Sequence, residues 1–227
     1  MWTEAPLAGF DLETTGPDPR TARIVTGCTL AVDGATIVPR TWLVDPEIEI
    51  PQGATDVHGI STERARAEGQ DYGTGYREIR DELERLWAMG RIIAIYNASY
   101  DLTVMDTEGR RLGYGPLVPG PVVDPFVIDR EVDKYRRGKR TLTVTCEHYG
   151  ITLDNAHAAD GDALAAARLA WVLGRRYQGL ASLRVEELMT TQADWHRARQ
   201  DDYAAYLTRK GEDPSGVCGD WPVRVSA

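Results

Sequence analysis

The stretch GFDLETTG, residues 9–16, places two carboxylates one residue apart at the end of an apolar run. Residues 7–12 predict a short β-strand. Because side chains alternate between the faces of a strand, Asp11 and Glu13 are predicted to project from the same side. Two neighbouring carboxylates repel each other, and partial burial raises the cost of each charge. A divalent cation would relieve both costs, and oxygen ligands favour Mg²⁺ or Mn²⁺; a solvated acidic strand end is the alternative.

Two further β-rich runs follow this strand. Residues 22–32 and 35–44 carry them, and Asp33-Gly34 between the two is a strong hairpin signal. Together with the first strand they predict an antiparallel meander. Residues 45–61 contain two prolines and predict a loop.

Helices and strands alternate in the next part of the chain. Residues 91–97 and 120–124 predict strands, and the first is apolar enough to be covered on both faces. A meander followed by this alternation predicts an α/β fold, a mixed β-sheet flanked by helices. The predicted helices are residues 62–69, 75–90, 97–113, 126–135, 142–150 and 162–179.

The composition changes near residue 178. Residues 193–211 predict an amphipathic helix, and the final residues are rich in Gly and Pro. We expect residues 1–178 to form one domain and residues 179–227 to form a helical C-terminal extension packed on it.

The length, composition and net charge of the chain exclude several protein classes. Of the 227 residues, 42% are hydrophobic and 27% charged, as in globular proteins, and no run is long enough for a membrane helix. The N-terminus has no signal-peptide pattern, and three scattered cysteines suit a reducing compartment. We therefore expect a cytoplasmic location and no membrane partner. The net charge of −9, taken alone, favours a small-molecule enzyme or an interaction protein over a nucleic-acid binder.

A second polar motif is YNASYD, residues 96–101. It follows the apolar strand, at the position where ligands gather in α/β sheets. Asn97 and Asp101 share one face of the first helical turns. Each has a structural alternative, because Asn97 is a suitable N-cap and Asp101 would stabilise the helix dipole.

A third motif is HAADGD, residues 157–162. His157 precedes the long helix, and Asp162 lies in its opening turn. The structural alternative makes Asp160 or Asp162 the helix cap and His157 a loop histidine.

In this order and spacing, FDLETTG, YNASYD and HAADGD resemble the three motifs of the DEDDh (DnaQ-like) superfamily of 3′–5′ exonucleases. That superfamily includes the proofreading epsilon subunit of bacterial DNA polymerase III. The resemblance covers about residues 7–178, and the spacing from His157 to Asp162 matches the histidine branch rather than the tyrosine branch. It implies a ribonuclease-H-like fold whose mixed sheet begins with an antiparallel meander, in agreement with the strand pattern.

The resemblance also implies a reaction. Phosphodiester bonds would be hydrolysed from the 3′ end of nucleic acid, DNA being favoured, with release of nucleoside 5′-monophosphates. Two Mg²⁺ or Mn²⁺ ions would neutralise the phosphate and clamp the attacking and leaving oxygens, and His157 would be the general base. The implied metal ligands, which are catalytic together with His157, are Asp11, Glu13, Asp101 and Asp162. An endonuclease of this fold, an RNA-trimming exoribonuclease and a non-catalytic nucleic-acid-binding module are the alternatives.

Substrate contacts are implied around these motifs. VHGIS, residues 57–61, resembles a family segment beside the terminal nucleotide. The basic run DKYRRGKR, residues 133–140, predicts a patch in which Arg136 and Arg137 contact phosphates, with a solvated charged loop as the alternative. The other expected substrate contacts are Thr14, Thr15, His58, Gly59, Ile60 and Asn97, the last having capping as its alternative.

The expected partners follow from the same resemblance. They are the 3′ ends of single-stranded DNA or RNA and the nucleoside monophosphate product, and the proofreading relatives add a DNA polymerase or a sliding clamp. QGLASL, residues 178–183, faintly resembles a clamp-binding peptide, and the end of the long helix is the alternative interpretation.

Overall fold

A five-stranded mixed sheet forms the centre of the protein in a computed structural model, which describes residues 1–153 and 159–225. The strand order within these ranges is β3-β2-β1-β4-β5. The first three strands pair antiparallel, whereas β1, β4 and β5 are mutually parallel. The predicted meander and mixed sheet are therefore confirmed. The strands are β1 (Leu7–Thr14), β2 (Ile24–Asp33), β3 (Thr36–Leu43), β4 (Ile92–Ala94) and β5 (Val122–Val123).

Helices pack on both faces of the sheet. None of those in the described ranges combines the length and the apolar character that crossing a membrane requires. They are α1 (Gln52–His58), α2 (Thr62–Glu68), α3 (Tyr72–Ala88), α4 (Ala98–Arg111), α5 (Pro125–Val132), α6 (Leu142–His148), α7 (Ala159–Arg176), α8 (Gln178–Ala181) and α9 (Val185–Lys210).

Two helix predictions were wrong. Residues 45–61 were expected to form a loop, but α1 lies within them; it buries no side chain, so it has no amphipathic pattern to detect. Helix α9 begins at Val185, eight residues before its predicted start. Its first turns contain β-branched threonines of low helix propensity, and the burial of Leu188 and Gln192 against the sheet overrides that preference.

Because side chains alternate along β1, this strand contributes to two parts of the core, one on each face of the sheet. Phe10 and Leu12 point to the face covered by α3 and α4, where they pack with Ile79 and Leu83. Gly9 and Asp11 point to the opposite face, which α7 covers with a row of small and aliphatic side chains. The two acids of the first motif therefore lie on the α7 side of the sheet.

Helix α9 packs beside β5, the edge strand of the sheet. The buried Gln192 side chain donates from Nε2 to the Val122 carbonyl (3.0 Å) and accepts at Oε1 from the Asp124 N–H (2.7 Å). Its amide thus takes the place of a neighbouring strand and satisfies two buried peptide groups. Gln192 thereby attaches α9 to β5, while the division of the chain after residue 178 stays a prediction.

We expect Gln192→Leu to lower the free energy of unfolding by about 2–4 kcal/mol, because the Val122 carbonyl and the Asp124 N–H would be buried without partners. Chemical denaturation measures this change. Asp194→Leu, an exposed site on the same helix, is the matched control and should change the stability by less than about 0.5 kcal/mol. Equal effects of the two variants would contradict this role of Gln192.

Candidate active site

Three carboxylates meet where β1 and α7 cross. Oxygen atoms of Asp11, Glu13 and Asp162 all lie within 4.8 Å of one another, and the three side chains are half-buried. Asp11 and Glu13 share the α7 face of β1, as their spacing predicts, and Asp162 lies in the first turn of α7. The structure therefore brings together residues that are about 150 positions apart in the chain.

The close approach of α7 to β1 depends on Gly9. A Cβ atom at this position would collide with the Ala163 carbonyl oxygen and its carbon. Only glycine lets the helix backbone lie directly on the strand. Since Ala163 follows Asp162, this contact sets the distance from Asp162 to the acids of β1.

Asp101 is the fourth acid of the predicted set. It lies in the first turn of α4, is 4% exposed, and accepts at Oδ1 from the Leu12 N–H (3.1 Å). This hydrogen bond ties α4 to β1 between the two acids of the first motif. Asp101 also lies close enough to Asp11 for its charge to raise the Asp11 pKa.

The acids strongly disfavour one another's ionisation. Burial raises the pKa of Asp11 well above its ordinary value, and the charges of Asp101 and Glu13 raise it further. Burial, followed by the charge of Asp162, raises the pKa of Glu13 to about 7. Burial raises the pKa of Asp101 as well, although the Leu12 N–H opposes this shift. No ion pair formed within the described ranges includes Asp11, Glu13 or Asp101.

These features fit a divalent cation. The cluster offers only carboxylate oxygens, the donor type that divalent cations such as Mg²⁺ and Mn²⁺ prefer. Half-buried carboxylates that raise one another's pKa are the arrangement that a bound cation would stabilise.

The same acids predict that cation stabilisation depends on pH. A carboxyl whose pKa rises from 4.5 in the unfolded chain to about 7 in the fold holds its proton more tightly when folded. Without cations, the free energy of unfolding therefore falls as the pH rises through this window. Mn²⁺ at about 100 times its dissociation constant should add roughly 3 kcal/mol at about pH 8, seen as a rise of 5–10 °C in Tm. At about pH 5, with Glu13 protonated, the rise should be much smaller; equal rises at both pH values would contradict the cluster as the binding site.

Asp124 organises the start of α4 and was not predicted. Its fully buried carboxylate accepts from the N–H groups of Asn97 (3.0 Å) and Ala98 (2.9 Å) at the start of α4. It also accepts from Phe126 and Val127 at the start of α5, and from Trp221 Nε1. Burial raises its pKa to about 6. Its place directly after an apolar strand was the sequence signal that could have identified it.

Asn97 lies at the N-cap position of α4, but its side chain makes no capping hydrogen bond. Its backbone is left-handed, with φ of 69°, a conformation that asparagine tolerates better than most residues. The expected cap is therefore supplied by Asp124 rather than by Asn97. Contact between Asn97 and a substrate stays a prediction.

The two threonines after Glu13 are tied into the protein. The Thr14 hydroxyl pairs with the Tyr100 hydroxyl, which also donates to the Gly16 carbonyl. The Thr15 hydroxyl accepts from the Arg23 N–H (3.0 Å). These bonds give both buried residues a structural role, and their predicted contact with a nucleotide stays a prediction. Tyr100, in the second motif, thus links that motif to the first. The sequence analysis did not identify this role.

A cavity of about 350 Å³ opens beside Glu13. His58 and Ile60 line it, together with Arg64, which the sequence interpretation missed. Burial lowers the pKa of His58, so its ring is less readily protonated and less suited to attract phosphate. Gly59 ends α1 with φ of 74°, and its left-handed backbone turns the chain between the two lining residues. Contact of His58, Gly59 and Ile60 with the base or sugar of a terminal nucleotide stays a prediction.

The basic run divides between buried and exposed positions. Arg136 is 9% exposed at its side chain and forms an ion pair with the fully buried Asp129 (2.5 Å), which Arg140 also contacts (2.7 Å). Contact with phosphate was predicted for Arg136 and Arg137, but the guanidinium of Arg136 is occupied by this pairing. Arg137 is exposed, and its contact with phosphate stays a prediction.

Two remaining predictions concern His157 and the clamp-like peptide. His157, the expected general base, lies outside the described residues. In QGLASL, Leu180 belongs to α8 and is 4% exposed, and its carbonyl accepts from Trp2 Nε1 (2.8 Å). A leucine buried in this way is not available to a clamp, so the alternative of a helix junction is favoured.

Comparisons with known proteins agree with this geometry. The family model described as RNase_T: Exonuclease matches residues 8–170. The DNA polymerase III PolC-type of Streptococcus suis is 28% identical over 173 residues, which are 75% of this chain and 11% of that protein. The corresponding protein of Staphylococcus epidermidis is 25% identical over 202 residues, 86% of this chain and 13% of that protein. The chain therefore spans a small part of these relatives.

A solved structure shows the same fold. E. coli exonuclease I in complex with a dT13 oligonucleotide aligns with a TM-score of 0.65 and 20% identity, over 78% of this chain and 42% of that chain. The predicted ribonuclease-H-like sheet flanked by helices is thereby confirmed.

Proposed function

This chain belongs to the RNase_T exonuclease family, and we propose that it is a metal-dependent 3′–5′ exonuclease that releases nucleoside 5′-monophosphates from DNA. The observation that carries the proposal is the cluster of Asp11, Glu13 and Asp162, with oxygen atoms within 4.8 Å of one another. A phosphodiester is anionic, and a half-buried group of acids is a suitable site for it only in combination with cations.

Each acid has a separate part in the proposed site. Asp11, Glu13 and Asp162 would hold one Mg²⁺ or Mn²⁺ ion, and Asp11 with Asp101 would hold a second. Bound ions of this kind neutralise the phosphate and lower the pKa of water. The Leu12 N–H keeps Asp101 oriented, and Asp124 fixes the first turn of α4 from the other side. His157 is proposed as the base that takes the proton of the attacking water.

The proposed substrate is single-stranded DNA. The structural neighbour E. coli exonuclease I is described in complex with a dT13 oligonucleotide, and the relatives are named as DNA polymerases. The cavity beside Glu13, lined by His58 and Ile60, is proposed to receive the terminal nucleotide. A DNA polymerase is proposed as a partner because the relatives carry the matching segment within a polymerase. A cytoplasmic location stays a prediction from the scattered cysteines.

A single-stranded DNA labelled at its 5′ end tests the proposal. With Mg²⁺ or Mn²⁺ we expect a ladder that shortens from the 3′ end, together with nucleoside 5′-monophosphates, and no cleavage in EDTA. An RNA strand of the same sequence should be cut more slowly. Internal cuts would indicate an endonuclease, faster cutting of RNA an exoribonuclease, and an intact strand a binding module.

A further inference from the structure

A second cavity, of about 540 Å³, lies between α5, residues 133–141 and α9. Its volume is within the range of pockets that hold small ligands. Two acids, Glu131 and Asp202, line it, and the cations outnumber them in a chain whose net charge is −9. The lining cations are Arg130, Lys134, Arg136, Lys139, Arg140 and Arg199.

Three of these cations form no ion pair with an acid among the described residues. Arg136 and Arg140 are paired with Asp129, and Lys134 lies 4.0 Å from Glu131. By contrast, none of the ion pairs within the described part of the chain includes the other three lining cations, Arg130, Lys139 and Arg199. The cavity therefore keeps uncompensated positive charge.

Among the lining cations, Arg130 gives the strongest evidence for an anion site. Its guanidinium is half-buried and lies over the Phe126 ring, 4.7 Å from the ring centre. Burial lowers the pKa of Arg130, and the neighbouring charges of Arg199 and Arg140 lower it further. A bound anion would stabilise cations that repel one another in a partly enclosed space, just as a bound cation would stabilise the acid cluster.

Aromatic side chains lie among the cations. Phe126 and the half-buried Trp195 both line the cavity. Positive charge that follows a phosphate backbone, combined with aromatic rings on which bases stack, is the usual composition of a site for single-stranded nucleic acid.

The cavity lies at the same edge of the sheet as the acids. Because β1, β4 and β5 are parallel, their carboxyl ends share one edge. Phe126 follows the end of β5, and its ring is 5.4 Å from that of Tyr96 at the end of β4. Neighbouring strands are about 4.8 Å apart, and Gly9 of β1 is in register through Ala94 with Val123 of β5, so Gly9 lies about 10 Å from the end of β5.

We propose that this cavity is a second nucleic-acid subsite, which binds phosphates of a single DNA strand on the 5′ side of the nucleotide held at the acid cluster. The 5′-to-3′ direction of the bound strand rests on the proposed function, whereas the binding of the strand does not. Arg130 from α5 and Arg199 from α9 contact the phosphates, and Trp195 contacts a base. The C-terminal helix thus supplies one wall of a nucleic-acid site, a role that no motif in its sequence indicated.

Binding without cleavage tests this subsite. Fluorescence anisotropy in EDTA compares the wild type, Arg130→Gln/Arg199→Gln and the control Arg209→Gln/Lys210→Gln, using a labelled single strand of about 20 nucleotides. The control removes two exposed charges from the end of α9 that do not line the cavity. The cavity variant should bind about tenfold more weakly, and the slope of log Kd against log salt should fall by about 1.4, because two phosphate contacts are lost. The control should bind the strand as the wild type does.

Other outcomes would overturn the proposal. Equal losses in both variants would indicate a general effect of net charge. Loss of binding to inorganic phosphate or thymidine monophosphate, with unchanged affinity for the strand, would identify a small-anion site instead. Should the cavity variant fail to fold by circular dichroism, photocrosslinking of the wild type to a thiothymidine strand decides the question, since adducts must map to residues of the cavity. Cleavage by the wild type is scored separately, so a protein that binds in this way but does not cut would refute only the proposed function.

Discussion

Asp11→Asn is expected to reduce cleavage of single-stranded DNA by at least about 10³-fold, because Asp11 is the acid proposed to contact both cations. It lies at the centre of the cluster, where the charges of Asp101, Glu13 and Asp162 all act on it. A neutral amide in its place supplies a weaker ligand to each ion. Single-turnover cleavage at saturating enzyme measures the chemical step without contributions from binding.

The same variant should be more stable than the wild type in the absence of cations. The folded pKa of Asp11 is raised, so its ionised form destabilises the fold above its ordinary titration range, and this cost disappears with the charge. In EDTA at about pH 8 we therefore expect a higher Tm, and with Mn²⁺ we expect little of the wild-type rise.

Asp81→Asn is the matched control for Asp11→Asn, since Asp81 is an exposed acid on α3. It should leave cleavage, Tm and the response to Mn²⁺ unchanged. A variant at Asp11 that cleaved DNA within tenfold of the wild-type rate would show that the acid cluster is not the catalytic site.

Gly9→Ala should destabilise the fold and disturb the acid cluster at the same time. The new Cβ would collide with the Ala163 carbonyl, a backbone atom that cannot rotate away, so α7 must shift from β1. We expect the free energy of unfolding to fall by about 3 kcal/mol. Because Asp162 moves with α7, cleavage should also fall by about 10²-fold, the usual result of a misplacement of about 1 Å. Denaturation and single-turnover cleavage measure the two effects.

Gly53→Ala is the control for this methyl group. Gly53 lies in α1, and a Cβ there meets nothing within 4 Å. Alanine is the better helix former, so the stability should rise slightly and cleavage should not change. If Gly9→Ala were equally harmless, the close packing of α7 on β1 would not be what positions Asp162.

The parts of the fold and site that could be predicted depend on local regularities. The alternation of side chains in β1 placed Asp11 and Glu13 on one side, and the Asp33-Gly34 hairpin placed β2 beside β3. The buried face of α3, with Ile79 and Leu83, also follows from helical periodicity. Interactions between residues two to four positions apart are set by backbone geometry, so they could be inferred from the order of the residues alone.

Other features could not be predicted because they depend on partners that are distant in the chain. Asn97 was a plausible cap, yet Asp124, 27 residues later, occupies the N–H groups at the start of α4. In the sequence, Arg136 is one of several equivalent cations. In the structure, its guanidinium forms an ion pair with the buried Asp129. In each case two residues compete for one partner, and only the packing of the elements decides between them.

The sequence by itself determined the acid pair, the strand order of the meander and the residue types suited to a divalent cation, since these follow from spacing and side-chain chemistry. Tertiary structure alone decided that Asp162 reaches Asp11 across the Gly9 contact. It also decided that Arg130 and Arg199, which form no ion pair with another described residue, line one cavity. The physical reason is that electrostatic and packing energies depend on distances through space, and spacing along the chain fixes such distances only within one helix or strand.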